Sequence, residues 1–297
     1  MSESLKIAVA GLGTVGAGLV KLLAGQAALL EARCGRRLAV TAVAARDRHK
    51  QRDIDISGFA WFDDPVEMAR SADADVIVEL IGGADGPAKA LAEAAFAKKR
   101  HVVTANKALL AHHGAALAAA AERAGVTLGY EAAVAGGIPI VKALREGLAG
   151  NTIQRVYGIL NGTCNYILTV MRESGRSFSD VLADAQKKGY AEADPSLDVD
   201  GIDTAHKLAV LASLAFGTAV DFDAVSVDGI RNVSPMDLEY AGELGFRIKL
   251  LAIGRRTAKG IEQRVHPCMI PAETALARVD GVFNAVMVDG DFAGNTV

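Results

Sequence analysis

The sequence predicts an α/β protein in which a doubly wound parallel sheet is followed by a second, α+β domain. Three observations predict it. Across residues 1–140, short apolar runs alternate with helical patterns, as in strands joined by crossover helices. A glycine-rich turn directly follows the first of those runs. Beyond residue 136 the rhythm changes to consecutive helical patterns and then strand-like runs. A length of 297 residues suits two domains, each large enough to bury a core, and the expected division is 1–140 and 141–297.

The elements follow in chain order. Residues 6–10 (Lys-Ile-Ala-Val-Ala) form a short apolar run of the kind found in buried parallel strands. The glycine turn at 11–16 breaks it, and 17–30 reads as one Ala/Leu-rich helix. Residues 38–45 form the second strand and 66–70 a short helix. A third strand at 76–81 leads into a crossover helix at 84–97, and a fourth at 101–104 into a helix at 107–124. The fifth strand is 126–130. In the second domain, 139–148, 166–174, 179–188 and 201–216 read as helices. Strands are expected at 247–255, 262–269 and 283–288, so the second sheet should follow its helices.

Composition narrows the function. Hydrophobic residues make up 51% and charged residues 23%, which excludes a disordered chain. Lys and Arg number 32 against 35 Asp and Glu, a formal net charge of −3, with no basic run. Neither nucleic acid nor a membrane surface is implied as a partner. The apolar stretch 208–216 is too short for a bilayer span, which needs about 20 residues. Cys34, Cys164 and Cys268 lie far apart without a Cys/His cluster, so they read as reduced thiols with no zinc site. With no signal-peptide pattern at the start, the expected compartment is the cytoplasm.

Gly11, Leu12, Gly13, Thr14, Val15 and Gly16 form a GxGxxG turn between a strand and a helix, the context that gives this motif meaning. Gly11 permits the tight turn, Gly13 lets backbone approach a pyrophosphate, and Gly16 allows close helix–strand packing. The helix start offers N–H groups and a positive dipole end to the phosphates. Which dinucleotide binds depends on the end of the second strand, Ala44-Ala45-Arg46-Asp47. Arg46, helped by His49 or Lys50, suits a 2′-phosphate, and Asp47 suits a 2′-hydroxyl. The reading favours NADP, with NAD as the alternative.

The second group of motifs carries chemistry. The loop 161–165 (Asn-Gly-Thr-Cys-Asn) opens an apolar helix, with Thr163 or Asn165 as its expected cap. Acids then stand at 192, 194, 198, 200 and 203, several of them at the start of the 201–216 helix. Asp203 and Lys207 are four apart and share a face that continues into Val210, Leu211 and Leu214. Ala205, Leu208, Ala209, Ala212 and Ala215 cover the rest. A helix apolar nearly all round is buried, so the pair reads as buried and functional rather than as a surface ion pair. Burial and a neighbouring carboxylate act oppositely on a lysine's proton affinity, which tunes such a group for proton exchange. Hydride transfer at a carbon bearing oxygen needs that exchange. Glu192 and Asp198 suit a substrate ammonium, the plainer alternative being solvated loop acids. Lys107 follows the fourth strand, at the sheet end where ligands bind, although an exposed lysine opening a helix would look the same.

Together these motifs resemble homoserine dehydrogenase. The resemblance rests on the glycine turn, Thr-Ala-Asn-Lys at 104–107, the 130–139 segment, Leu-Asn-Gly-Thr-Cys-Asn-Tyr-Ile at 160–167 and the 189–207 block. It implies a Rossmann-type nucleotide domain and NAD(P)H-dependent interconversion of L-aspartate 4-semialdehyde and L-homoserine, on the route to threonine and methionine. It also implies Lys207 as proton donor and acceptor, Asp203 orienting it, and Lys107 at the cofactor–substrate junction. Glu192, Asp198, Tyr190 and Thr163 match substrate-contacting positions. A monovalent cation, sodium, is implied at the Glu131 carboxylate and the carbonyls of Val134, Gly136 and Ile138, together with a homodimer built on the second domain's sheet. The family continues past 289–297 into a segment near the cofactor, a returning helix and often a regulatory domain. The chain therefore reads as part of a longer enzyme. A thioester-forming aldehyde dehydrogenase would need a nucleophilic Cys, and Cys164, without an evident His partner, reads as structural; a non-catalytic dinucleotide-binding regulator is the other alternative.

Overall fold

The computed structural model describes residues 4–297. The chain divides into two compact units, Met1–Ala133 and Val134–Val297. In the first unit, β1 (Leu5–Ala10), α1 (Thr14–Gly25), α2 (Ala27–Cys34), β2 (Leu38–Ala44), β3 (Ala60–Phe62) and α3 (Pro65–Ser71) come first. They are followed by β4 (Val76–Glu79), α4 (Pro87–Ala97), β5 (His101–Thr104), α5 (Lys107–Ala124) and β6 (Leu128–Gly129). The strands form one parallel sheet in the order β3-β2-β1-β4-β5-β6, with β1 central and the chain winding outward to both sides. This is the doubly wound sheet that the alternation predicts. Ile7, Val9, Val20, Leu23, Val43 and Val78 form the core between β1, its neighbours and α1.

Two expectations in this unit need correction. The single helix over 17–30 is two helices, α1 and α2, bent by 78° at a break around Gln26. Gly25 weakens the helix there by about 1 kcal/mol relative to alanine, and α2 buries no residue that would hold the axis straight. The fifth strand shrinks from 126–130 to Leu128–Gly129, because only Val102 and Val103 pair with it. The three-residue β3 lies in a four-residue apolar run, Phe59-Ala-Trp-Phe62, which the sequence reading did not assign to a strand.

The second unit begins with α6 (Ile140–Lys142), a π-helical turn at Ala143–Gly147 and β7 (Ile153–Ile159). Then come α7 (Gly162–Ser174), α8 (Phe178–Lys187), α9 (Ser196–Val199), α10 (Ile202–Phe216), β8 (Val225–Val227) and α11 (Pro235–Glu243). The hairpin β9 (Phe246–Thr257) and β10 (Gly260–Pro271) is followed by β11 (Ala285–Gly290) and β12 (Gly294–Thr296). The sheet order is β12-β11-β7-β9-β10-β8, antiparallel throughout except for the β8–β10 pair. The sheet therefore does not simply follow its helices: β7, which precedes them, pairs with both β11 and β9. Its burial alternates irregularly, with Ile153, Val156, Gly158 and Ile159 inside, so it shows no clean period of two. The expected helix 139–148 is three α-helical residues and the π turn. Helix α7 starts at Gly162 rather than 166, because the loop itself supplies the cap. Helix α10 is buried nearly all round, as its composition requires.

Candidate functional site

Each of the two units carries a cleft. In the first, a cleft of about 400 Å³ is lined by Gly11, Leu12, Gly13, Arg46, Lys50 and Arg52 among others, beside the carboxyl ends of β1, β2 and β4. Gly11 has φ +96°, and a Cβ there would lie 2.4 Å from the Leu80 carbonyl oxygen. A Cβ on Gly16 would lie 1.9 Å from the Gly11 oxygen. At Gly13 a Cβ would meet nothing within 4 Å, so this glycine leaves space that the protein itself does not use. No side chain caps α1 and no acid sits in its first turn, where Thr14 and Val15 begin the helix. Its N–H groups and dipole are thus open to an anion. These features fit a dinucleotide pyrophosphate.

The loop after β2 is tied down by its own residues. Asp47 Oδ1 accepts the main-chain N–H of His49 at 2.8 Å and of Lys50 at 3.1 Å. Arg52 donates to the carbonyls of Leu12, Lys50 and Asp47 at 3.2, 2.9 and 2.7 Å, bridging the glycine turn to this loop. Arg46 is exposed and lines the cleft. Sequence reasoning missed Glu79, fully buried at the end of β4. It accepts the N–H groups of Ile81 and Gly82 at 2.7 and 3.0 Å and the Thr104 hydroxyl at 2.5 Å. Thr104 in turn accepts the Asn106 N–H, and Asn106 caps α5 at Leu109. Lys107, half-buried, follows that cap directly and does not line the cofactor cleft. Of the expected cation group, Glu131 lies in a 3-10 turn of the first unit, while Val134, Gly136 and Ile138 belong to the second. There Ala135 and Gly137 take positive φ, and the Ile138 carbonyl accepts the Ile140 N–H at 2.8 Å.

The second unit holds a polar cleft of about 380 Å³ lined by Asn161, Gly162, Thr163, Gly189, Tyr190, Asp198, Asp203, Lys207 and Val282. Lys207 Nζ donates to Asp203 Oδ2 and to the Leu160 carbonyl, both at 2.7 Å. Asp203 is buried and Lys207 largely so, with 15% of its side chain exposed in the cleft. Asn161, which sequence reasoning passed over, joins the parts. Its Nδ2 donates to Asp198 at 2.7 Å and to Asp203 at 2.9 Å, and its Oδ1 accepts the Cys164 N–H at 2.8 Å. Asn161 is therefore the cap of α7, in place of Thr163 or Asn165. Thr163 instead donates to the Tyr190 carbonyl at 2.8 Å, and the Tyr190 ring sits edge-on to Tyr166 at 5.0 Å. Glu192 is exposed and does not line this cleft.

The Cys164 thiol is a poor nucleophile here. Burial pushes its pKa well up, the Asp198 and Asp203 charges add to that, and its Sγ donates to the Asp198 carbonyl at 3.2 Å. Among the described residues no cluster of three His, Cys, Asp or Glu side chains could hold a metal ion.

Two family models divide the chain between them. The model for the homoserine dehydrogenase NAD-binding domain matches 11–131, and the model for homoserine dehydrogenase matches 139–297. A homoserine dehydrogenase of Neisseria gonorrhoeae is 48% identical over 295 residues, covering 99% of this chain and 67% of that protein. The chain belongs to the homoserine dehydrogenase family. A solved homoserine dehydrogenase from Thiobacillus denitrificans superposes with a TM-score of 0.95 at 47% identity, over 99% of this chain and 68% of that one. A hyperthermophilic archaeal homoserine dehydrogenase in complex with NADPH matches with a TM-score of 0.81 at 25% identity, covering 99% and 90%. The chain thus spans about two thirds of the length of the Neisseria and Thiobacillus proteins. Homoserine dehydrogenases are NAD(P)-dependent oxidoreductases, and the match to their NAD-binding domain begins at Gly11 and spans the residues that line the glycine cleft. Among the described residues no single helix is long and apolar enough to cross a membrane.

Proposed function

We propose that this chain interconverts L-homoserine and L-aspartate 4-semialdehyde, with Lys207 as the group that moves the proton. The observation carrying this reading is the Lys207 ammonium at the base of an open polar cleft, with two of its three N–H bonds taken by Asp203 and Leu160. The third remains for an oxygen of the substrate. When bound, the nicotinamide takes hydride from the alcohol carbon or returns it to the aldehyde carbon. In reduction the Lys207 ammonium delivers a proton to the forming alkoxide and is left as the neutral amine; in oxidation that neutral amine takes the hydroxyl proton and becomes the ammonium. Asp203, itself held by Asn161, fixes the ammonium in place. Asp198, which lines the same cleft, suits the substrate ammonium, and Thr163 and Tyr190 line it too. Glu192 and Lys107 remain proposed contacts for substrate and for the cofactor–substrate junction.

NADP is the proposed cofactor. Asp47 spends Oδ1 on its own turn, whereas Arg46 stays exposed at the rim with Lys50 and Arg52 close by. Residues 1–140 would serve the nucleotide, and 141–297 the substrate and a homodimer contact. Exposed Tyr240, Leu244 and Met269 along one cleft support that contact. A sodium ion with Glu131 as its charged ligand, and a cytoplasmic setting, complete the proposal. The test is homoserine-dependent change in nicotinamide absorbance, run with NADP and NAD and with sodium replaced by choline. Turnover that prefers NADP and weakens without sodium supports the reading; cofactor binding with no homoserine-dependent signal rejects it.

A further inference from the structure

Helix α7 carries a polar stripe that catalysis as described does not use. Asn165, Thr169 and Arg172 are spaced four and three apart, so they share one face of the helix. All three hold the 279–283 loop. Asn165 Nδ2 donates to the carbonyls of Val279 and Phe283 at 3.0 and 3.1 Å. Thr169 Oγ1 accepts the Gly281 N–H at 3.2 Å, and Arg172 binds both oxygens of Asp280 at 2.9 and 3.2 Å. From the other side comes Lys249 on β9, only 1% exposed. Its Nζ donates to Asn165 Oδ1 at 3.0 Å, to the Val279 carbonyl at 2.6 Å and to Asp280 Oδ1 at 2.9 Å. An ammonium has three N–H bonds, and here each has an acceptor.

The loop so held is part of the cleft. Val282 lines it together with Asp203 and Lys207. The Val282 main chain lies so close to the first residue of α7 that a Cβ on Gly162 would fall 2.6 Å from the Val282 oxygen. Gly162 stands between Asn161, which holds Asp198 and Asp203, and Thr163, which holds Tyr190. A buried lysine is costly where it serves packing alone, since an apolar side chain of similar volume fills such a space without the desolvation penalty.

We propose that Lys249 is a positioning residue for the substrate: with the Asn165–Thr169–Arg172 stripe it fixes the 279–283 loop so that Val282 closes one wall of the Lys207 cleft. The inference rests on the reading of that cleft as the homoserine site. A wall displaced by about 1 Å loosens the fit of a small substrate while leaving the dinucleotide cleft of the other unit untouched.

The test compares Lys249→Met, Val282→Ala and the double variant. The KM for homoserine should rise about tenfold in Lys249→Met while the KM for NADP stays within about twofold. Because both changes act on one wall, the double variant should match the more affected single variant rather than the product of the two. A homoserine KM unchanged in Lys249→Met, with only a lower melting temperature, overturns the proposal, as does a multiplicative double variant. If Lys249→Met does not fold, Thr169→Val removes the Gly281 tether, along with the bond from the Thr169 hydroxyl to the Asn165 carbonyl within the helix, and is read the same way: a raised homoserine KM supports the proposal and an unchanged one overturns it. Lys207→Ala, assayed alongside, separates the two claims. Retained turnover there rejects the reading of the cleft itself, whereas lost turnover with an unperturbed Lys249→Met rejects only the positioning role.

Discussion

Gly13 and Gly16 lie in the same turn and should fail in opposite ways when changed to alanine. A Cβ on Gly16 would stand 1.9 Å from the Gly11 oxygen and 2.9 Å from its carbonyl carbon. Gly11 has no room to yield, because its own Cβ direction faces the Leu80 oxygen at 2.4 Å and its N–H is bonded to Ala44 at 2.9 Å. The helix start must therefore shift by on the order of 1 Å, an overpacking that costs about 1–3 kcal/mol. The stiffer unfolded chain returns about 0.4–1 kcal/mol of that. For a unit of this size the net effect is a fall in melting temperature of roughly 3–10 °C. Gly13→Ala meets no atom within 4 Å and sits at φ −74°, so the melting temperature without cofactor should move by less than about 0.5 kcal/mol equivalent. Its cost should appear on adding NADPH, because the new methyl group would occupy the space proposed for the pyrophosphate. Binding should weaken at least about tenfold, or about 1.4 kcal/mol. Thermal melts and NADPH fluorescence titration on both variants decide it. Unchanged NADPH affinity in Gly13→Ala, or an unaltered melting temperature in Gly16→Ala, would refute the assignment of this turn.

Two further outcomes follow from the same geometry. Arg46→Ala should lower kcat/KM for NADP about 10- to 100-fold, the loss of one charge-assisted contact to a 2′-phosphate, and leave NAD nearly unchanged in steady-state assays with each cofactor. Partial burial raises the Asp280 pKa, but hydrogen bonds from Arg172 and Lys249 and their charges outweigh it and hold the group at about 2. An unfolded aspartate titrates near ~3.9, so this carboxylate stabilises the fold above that pH and its contribution fades as pH falls toward 2. Urea denaturation should show Asp280→Asn less stable than the parent at pH 6, with the gap narrowing as the pH drops below about 4.

What the sequence made legible was local. The glycine turn, the alternation of the first sheet and the Asp203–Lys207 spacing are all short-range signals, and each depends on neighbours within one or two turns. Asn161, Glu79 and Lys249 were not legible, because their partners come from distant segments. Asn161 looks like a turn residue until Asp198 and Asp203 arrive beside it. Lys249 looks like a break in an apolar strand until Asn165 and Asp280 close over it. Strand β7 stayed hidden because its burial follows no simple period and both strands that pair with it come much later in the chain. Glu192 is exposed and does not line the cleft, so its proposed contact with the substrate rests on its place among the acids of the 189–207 block.

The central claim is that Lys207 moves the proton in the homoserine reaction. Its most direct test is kcat and NADPH affinity for Lys207→Ala, measured on the same preparation. The account predicts NADPH binding within about twofold of the parent and a kcat lowered on the order of 10²–10⁴-fold. A variant that binds NADPH normally and still turns over homoserine within about tenfold of the parent would contradict it.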